Sequence, residues 1–253
     1  MSESFLLKAE NLSQKFSGTT IFKDVNLYLA EGELICLLGV SGAGKTTLFN
    51  VLSGLQMPRS GHVFLREKEI TGEAGHLAYM LQKDLLLPYR TVLDNAALPL
   101  LIHGETKAHA REKAAAFFPE FGVSGTENKW PSQLSGGMRQ RVALLRTYLS
   151  SEGAALLDEP FSALDTITKS AIHHWYLNVM EKIKLSTLFI THDINEAILL
   201  SDRIYILSGT PSTITAQIKI TQSRPRSSDF PLTSTFLDYK KQILSLLKLN
   251  GSS

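Results

Sequence analysis

The chain has 253 residues, enough for one large α/β domain or two modest ones, and with 43 % hydrophobic and 20 % charged residues it is neither collagen-like nor broadly disordered. Twenty-six Lys and Arg against 24 Asp and Glu leave a formal charge of +2, too little for nucleic-acid binding by overall field, so any polyanion must be held locally. The single cysteine, Cys36, excludes an internal disulfide, and no Cys/His cluster has zinc spacing, which fits a reducing compartment. The stretch Met1 to Lys8 lacks the basic start, apolar block and cleavage site of a secretory signal. No apolar run approaches the ~18 to 20 residues needed to cross a bilayer.

In chain order, Phe5 to Leu12 and Ile21 to Leu29 read as two strands around the turn Ser17-Gly18-Thr19-Thr20. Glu33 to Leu38 reads as a buried strand, followed by a glycine-rich turn and a helix over Thr46 to Leu52 that stops at Gly54. Gly61 to Ile70 and His76 to Leu81 read as further strands, and Thr91 to Phe121 as helix broken near Gly104 and Pro119. A helix is expected from Ser135-Gly136-Gly137 through Leu149, then a strand edge over Ala154 to Leu157. Thr168 to Ile183 is helical, Thr187 to Ile190 a strand, Asn195 to Leu200 a short helix and Arg203 to Leu207 a strand. That alternation marks a parallel sheet. Ser223 to Asp229 reads as a linker and Thr235 to Leu249 as an amphipathic helix, together an appendage.

The segment Gly39-Val40-Ser41-Gly42-Ala43-Gly44-Lys45-Thr46 satisfies G-x-x-x-x-G-K-[ST] between a hydrophobic strand and a helix start. Its glycines let successive N–H groups converge on phosphate oxygens; Lys45 adds a charge, the Thr46 hydroxyl can ligate Mg²⁺, and Thr47 continues the helix start. Ala155-Leu156-Leu157-Asp158-Glu159-Pro160 sets two carboxylates at the end of an apolar strand, where open parallel sheets place ligands. One can help hold a metal while the other orients and deprotonates water. Read alone, such a pair is a solvated turn; the phosphate loop upstream favours the chemical reading. Ser135-Gly136-Gly137 at a helix start offers a hydroxyl and exposed N–H groups, a second anion site that could equally be a flexible helix cap.

With these in order, Leu134-Ser135-Gly136-Gly137-Met138-Arg139-Gln140-Arg141 resembles the signature motif of the ATP-binding cassette family. The resemblance extends from about Phe5 to Ile220 and implies an α/β fold: a P-loop NTPase core with a mostly parallel sheet, an N-terminal antiparallel β subdomain and an inserted α-helical subdomain. It implies a nucleotide-binding domain over residues 1–220, with the helical subdomain at about 83–150 and a linker and helical tail over 221–253. Glu159 would be the catalytic base, with Gln82 touching Mg²⁺ and the attacking water, and His192 contacting the γ-phosphate. Asp158 would help hold the metal with Thr46. Ser162-Ala163-Leu164-Asp165 resembles the D-loop, and Phe16 stands where the family often has an aromatic that stacks on adenine. ATP and Mg²⁺ would be sandwiched between two copies, the phosphate loop of one facing Ser135-Gly136-Gly137 of the other.

The stretch from Tyr79 to Asn95, Thr191 to Ala197 and Ser201 to Leu207 resemble the importer ATPases for nitrate, sulfonate or taurine and their thiamine-precursor pyrimidine relatives. That implies an ATPase lying peripherally on the cytoplasmic face of the cell membrane, bound to integral permease subunits and served indirectly by a periplasmic or surface solute-binding protein. The apolar Leu85-Leu86-Leu87-Pro88-Tyr89 is a docking candidate or a piece of the helical subdomain's interior. Too few residues follow Ile220 for the β-barrel regulatory domain of sugar-importer ATPases. Rival readings are an exporter cassette, a non-transport cassette complex, a P-loop small-molecule kinase and a pure binding module. The kinase leaves Ser135-Gly136-Gly137 and His192 without work, and the binding module leaves Glu159 unused.

Overall fold

The computed structural model describes residues 5–162 and 166–249. Strands β1 (Phe5–Phe16) and β2 (Thr19–Ala30) form an antiparallel hairpin. Its two turn residues, Ser17 and Gly18, both have positive φ (45° and 91°), the condition for a tight turn that follows the strands' own twist. Strand β3 (Leu34–Leu38) is buried along its whole length and runs straight into the phosphate-loop sequence and helix α1 (Lys45–Leu52). Strands β4 (Ser60–Leu65) and β5 (Lys68–Glu69) extend the hairpin on the far side of β1. The sequence reading took Gly61 to Ile70 as one strand; the chain instead reverses there, with Arg66 at φ 55°.

After β6 (Ala78–Met80) comes the helical insertion, α2 (Val92–Ala96), α3 (Leu98–Ile102), α4 (Lys107–Ala116) and α5 (Gly136–Leu149). The second half alternates β7 (Ala154–Asp158), α6 (Thr166–Ile183), β8 (Ser186–Thr191), α7 (Ile194–Leu200) and β9 (Arg203–Gly209). Strand β10 (Ser212–Lys219) and helix α8 (Ser234–Leu249) complete it. The strand order is β5-β4-β1-β2-β10-β9-β3-β8-β7-β6, with β9, β3, β8, β7 and β6 mutually parallel. Strand β10, which the sequence reading did not foresee, joins the two halves. It pairs with β9 along seven positions and with β2 through the single pair Ser212↔Phe22.

The parallel strands are hydrophobic on both faces because both are covered, and the pleat sorts the side chains. Leu34, Cys36 and Leu38 of β3, Ala155 and Leu157 of β7, and Ile204 and Ile206 of β9 point into a core shared with α5, α6 and α7. Their alternates Ile35, Leu37, Ala154, Leu156, Tyr205 and Leu207 point into a second core with α1, β1 and β2. Cys36 is fully buried, and burial pushes its thiol well above the ordinary range, so it behaves as a small core hydrophobe. Among the described residues, no helix is long and apolar enough to cross a membrane.

The segment after Ile220 is not an appendage. Phe230, Phe236 and Ile243 are buried in the first core, with Phe230 and Phe236 packed edge to face. Arg226, 5 % exposed, donates to the carbonyls of Leu199, Ser201 and Gln222 at 2.7, 2.8 and 2.9 Å. Two of these carbonyls lie at the C-terminal end of α7, where helix carbonyls lack partners and a cation is favourable. Arg224 adds an ion pair to Asp202 at 2.7 Å, and Asp202 accepts from the Leu34 N–H at the head of β3. Replacing Arg226 with Met, which keeps the stem and removes the donors, is expected to cost about 3 kcal/mol, because buried carbonyls lose charge-assisted bonds. The drop in the urea midpoint measures it.

Candidate functional site

The C-terminal ends of β3, β7 and β8 lie side by side in the sheet, and each delivers one part of the site. After β3 the loop tightens around Gly39, whose missing side chain lets the backbone approach Leu207: a Cβ there would lie 2.5 Å from its carbonyl oxygen. Gly44 is left-handed at φ 84°, and a Cβ on it would meet Ile21 at 2.6 Å, so the turn into α1 needs glycine for both reasons. Gly44 is the N-cap of α1 and offers no side chain to the first N–H groups, leaving them to an anion. Lys45 is 7 % exposed and its Nζ donates to the carbonyls of Gly39 and Val40 at 2.8 and 2.9 Å, so the loop is folded around its own ammonium. Burial lowers the Lys45 pKa, opposed by the charges of Glu159 and Asp158.

At the end of β7, Asp158 is 6 % exposed and accepts from the Thr46 hydroxyl at 3.0 Å and, more weakly, from Tyr79 at 3.5 Å. Burial raises its pKa, and the neighbouring Glu159 charge adds to this against the Thr46 bond and Lys45. Glu159 has φ 46°, an uncommon conformation for a residue with a side chain, and its N–H donates to the Ile190 carbonyl at 3.1 Å. Its carboxylate meets Gln82 Nε2 at 3.4 Å and His192 Nδ1 at 3.1 Å. Gln82 follows β6, and His192 follows β8. Gln82 also donates to Ser162 at 3.4 Å, and Ser162 bonds the Glu159 carbonyl at 3.0 Å.

Among the described residues, the expected site residues fall into one network at the strand ends and two outlying positions. Thr46 is bonded to Asp158, and the adjacent Glu159 to Gln82 and His192, with Lys45 close enough to feel both carboxylate charges and Ser41, Gly42, Ala43 and Thr47 flanking them in the loop and first turn of α1. Ser135 is the N-cap of α5, its hydroxyl accepting from the Met138 N–H at 3.3 Å, outside that network; Gly136 and Gly137 open the helix. A Cβ on Gly136 would have no neighbour closer than 4.0 Å, so the helix start faces open space. Phe16, at the end of β1, is 46 % exposed rather than packed in the core. Asp165 lies outside the described residues.

The ABC transporter family matches residues 22–162, which contain the phosphate loop, Gln82, Ser135 and the carboxylate pair. The chain belongs to this family. It is similar to the formylaminopyrimidine import ATP-binding protein ThiZ of Halalkalibacterium halodurans, 44 % identical over 81 % of each chain. It is also 40 % identical to the aliphatic sulfonates import ATP-binding protein SsuB 1 of Rhodococcus jostii, over 85 % of this chain and 83 % of that one. A solved dimer of the ATP-binding cassette MJ0796, in a post-hydrolysis state bound to ADP and Pi, superposes with a TM-score of 0.73 at 27 % identity, covering 86 % of this chain and all of that one. This ABC cassette binds ATP and is an ATPase.

Reading motifs left several residues of the cassette unnoticed. Asn95, fully buried, donates from Nδ2 to the carbonyls of Leu87, Arg90 and Thr91 and accepts from the Leu87 N–H at 2.7 Å, fixing the loop after Gln82 from the side of α2. From α5, Arg146 donates to the carbonyls of Asp84 and Leu85, and Arg139 pairs with Asp84 at 3.1 Å. The signature helix thus grips the segment that carries Gln82. The sequence signal was present only as a buried polar residue type in an apolar stretch. Glu196, 3 % exposed on α7, is another: burial raises its pKa, but the neighbouring His173, the Thr191 hydroxyl bond and the Lys169 ammonium outweigh it and hold the carboxyl at about 2.

Because the folded pKa of Glu196 lies below its ordinary 4.5, its ionised form stabilises the fold above that pH. The stabilisation, about 3 kcal/mol, is lost as pH falls from about 4.5 through about 2. Urea unfolding between pH 5 and pH 2 is expected to show the wild type losing more stability than Glu196→Gln over that window.

Proposed function

We propose that this cassette is the ATP-hydrolysing subunit of a membrane importer, working as a pair of identical chains that close on two ATP molecules and reopen after hydrolysis. The observation that carries the reading is the position of Glu159: a carboxylate one residue beyond the Asp158–Thr46 contact, reached on one side by Gln82 and on the other by His192. A base there can take a proton from water placed beside the last phosphate, while His192 and Gln82 fix its direction. The loop N–H groups and Lys45 would hold the β- and γ-phosphates, with Lys45 exchanging its bonds to Gly39 and Val40 for phosphate oxygens. Phe16, with its exposed ring, would stack on adenine.

Mg²⁺ suits the donor set. Thr46, Asp158 and Gln82 supply hard oxygens, and the described residues include no group of three or more Asp, Glu, His or Cys that could cage a metal alone. Such a partial set is what an ion needs that keeps its remaining positions for phosphate and water. Bound there, Mg²⁺ would neutralise charge developing on the phosphates.

The open N-terminus of α5 behind Ser135 is the surface offered to the γ-phosphate held by the other copy. ThiZ and SsuB 1 are import ATP-binding proteins by name. On that basis we assign this cassette to the cytoplasmic face of the membrane, on permease subunits fed by a solute-binding protein, for a small solute of the sulfonate or formylaminopyrimidine kind. The permease would sit near Leu85 and Tyr89, 51 % and 71 % exposed on the loop that Asn95 and Arg146 hold rigid. Leu86 does not belong to that surface; at 8 % exposed it packs in the first core. Beside the loop, Leu77, Leu98, Pro99 and Ile102 line a groove of about 310 Å³.

Glu159→Gln is expected to lower ATP turnover at least about 100-fold and to accumulate an ATP-bound dimer in size-exclusion chromatography. Gly136→Arg, which meets no crowding within the chain, should abolish that dimer; a monomer in the first case or a dimer in the second removes the paired mechanism. Paired charges at Leu85 and Tyr89 are expected to stop uptake in reconstituted vesicles while ATPase activity of the isolated cassette stays within about twofold.

A further inference from the structure

The residue before His192 is tied through α7 to helix α6. The Thr191 hydroxyl donates to Glu196 Oε2 at 2.6 Å and accepts from the Asp193 N–H at 3.0 Å. Asp193 in turn caps α7, accepting from the N–H groups of Asn195 and Glu196 at 2.8 and 3.3 Å. The other oxygen of Glu196 faces Lys169 Nζ at 2.9 Å and His173 Nε2 at 3.6 Å, both on α6. His173 is held from behind by the edge of the Phe161 ring, at 4.8 Å between centroids. Phe161 belongs to the same turn as Glu159, Pro160 and Ser162.

His192 itself is 60 % exposed in its side chain and, among the described residues, meets the site through Glu159. Its backbone, by contrast, is flanked on both sides by residues with no freedom: Thr191 is 2 % exposed and Asp193 is bound into the helix cap. A buried carboxylate with an ammonium on one oxygen and a hydroxyl on the other costs desolvation that nearby apolar residues would not, so its presence calls for a geometric task. Its two partners show the task. One comes from the helix that follows the Glu159 turn and the other from the strand end that carries the histidine.

We infer that Glu196 is a positioning residue for hydrolysis: clamped by Lys169 of α6, it holds Thr191 and thereby sets the backbone from which His192 reaches Glu159. The inference rests on the roles proposed above for His192 and Glu159. It also ties α6 to the histidine: a shift of that helix pulls on Glu196, and Glu196 moves the strand end. A side chain held in this way loses the conformational freedom that a reaction would otherwise have to remove.

The test is a double-mutant cycle on the full-length chain, with ATP turnover and ATP affinity measured separately. Thr191→Val removes the hydroxyl at nearly constant volume, and Glu196→Gln removes the charge; the former keeps the test alive if the latter fails to fold. Each is expected to lower kcat roughly tenfold while KM for ATP stays within about twofold, and Thr191→Ser is expected to restore most of the loss. In a His192→Ala background, which by itself lowers kcat, Thr191→Val is expected to change turnover less than about twofold, because the residue it acts through is gone. Losses that multiply in the double variant, or a Thr191→Val enzyme with unaltered kcat, overturn the inference and leave the assignment of His192 standing. A His192→Ala enzyme with full turnover overturns both.

Discussion

An ammonium group sits almost fully buried at the start of α1, and the surrounding structure is arranged to make that tolerable. Lys45 has two backbone carbonyls within 3 Å and two carboxylates near enough to counter its desolvation. That requirement fixes where β7 must end, since Asp158 and Glu159 have to arrive beside a loop that leaves β3. It also fixes the shape of the loop, because carbonyls can turn inward to Lys45 only if glycines accept the backbone angles that leave the N–H groups facing outward. The loop carbonyls of Gly39 and Val40 thus hold the ammonium in the position from which the proposed mechanism has it turn to phosphate.

Around this centre the molecule is built in two unequal parts. The parallel strands form a table with both faces covered, and the candidate site residues stand at the C-terminal ends of β3, β6, β7 and β8, with Asp158 and Glu159 together after β7. The helical insertion is joined to the table through a loop with many side-chain bonds: Asn95 from α2, Arg139 and Arg146 from α5. Gln82 opens that loop and Ser135 caps the helix that grips it. The contact with γ-phosphate proposed for Ser135 and the contact with water proposed for Gln82 are thus mechanically one assembly, so opening one displaces the other. The segment 222–243 locks the opposite side, with Arg226 closing the end of α7 and three aromatic or aliphatic side chains plugging the core.

Consecutive chemistry was legible in the sequence. The phosphate loop, the Asp158-Glu159 pair and Ser135-Gly136-Gly137 each lie within one turn or strand end, so local spacing expresses their geometry. The parallel strands were legible because burial on both faces makes them continuous apolar runs. What escaped were residues whose meaning exists only across the fold. Glu196, Asn95 and Arg226 are polar residues in ordinary helical or loop settings, and their partners come from other elements. Strand β10 escapes sequence reading because Ser212 to Lys219 alternates only weakly, with six of its eight side chains at least partly exposed. Leu85 and Leu86 looked equivalent as apolar neighbours in a loop; the positive φ of Leu85 turns one outward and leaves the other in the core. The tail read as detached because Ser223 to Asp229 is polar, whereas Arg226 in its middle is an anchor.

The one bridging pair between β2 and β10 has a further effect. Backbone pairing nearly stops at that line, so the hairpin carrying Phe16 and the table carrying Lys45 are joined chiefly through side chains: Arg203 of β9 donates to the Tyr28 carbonyl of β2 at 2.9 Å, the Tyr28 N–H donates to the Tyr205 hydroxyl at 3.2 Å, and Ile21 packs against Gly44. Such links hold the two halves together without the register that a continuous ladder would impose. A nucleotide bound as proposed, with its base on Phe16 and its phosphates at Lys45, would add one more link across that line.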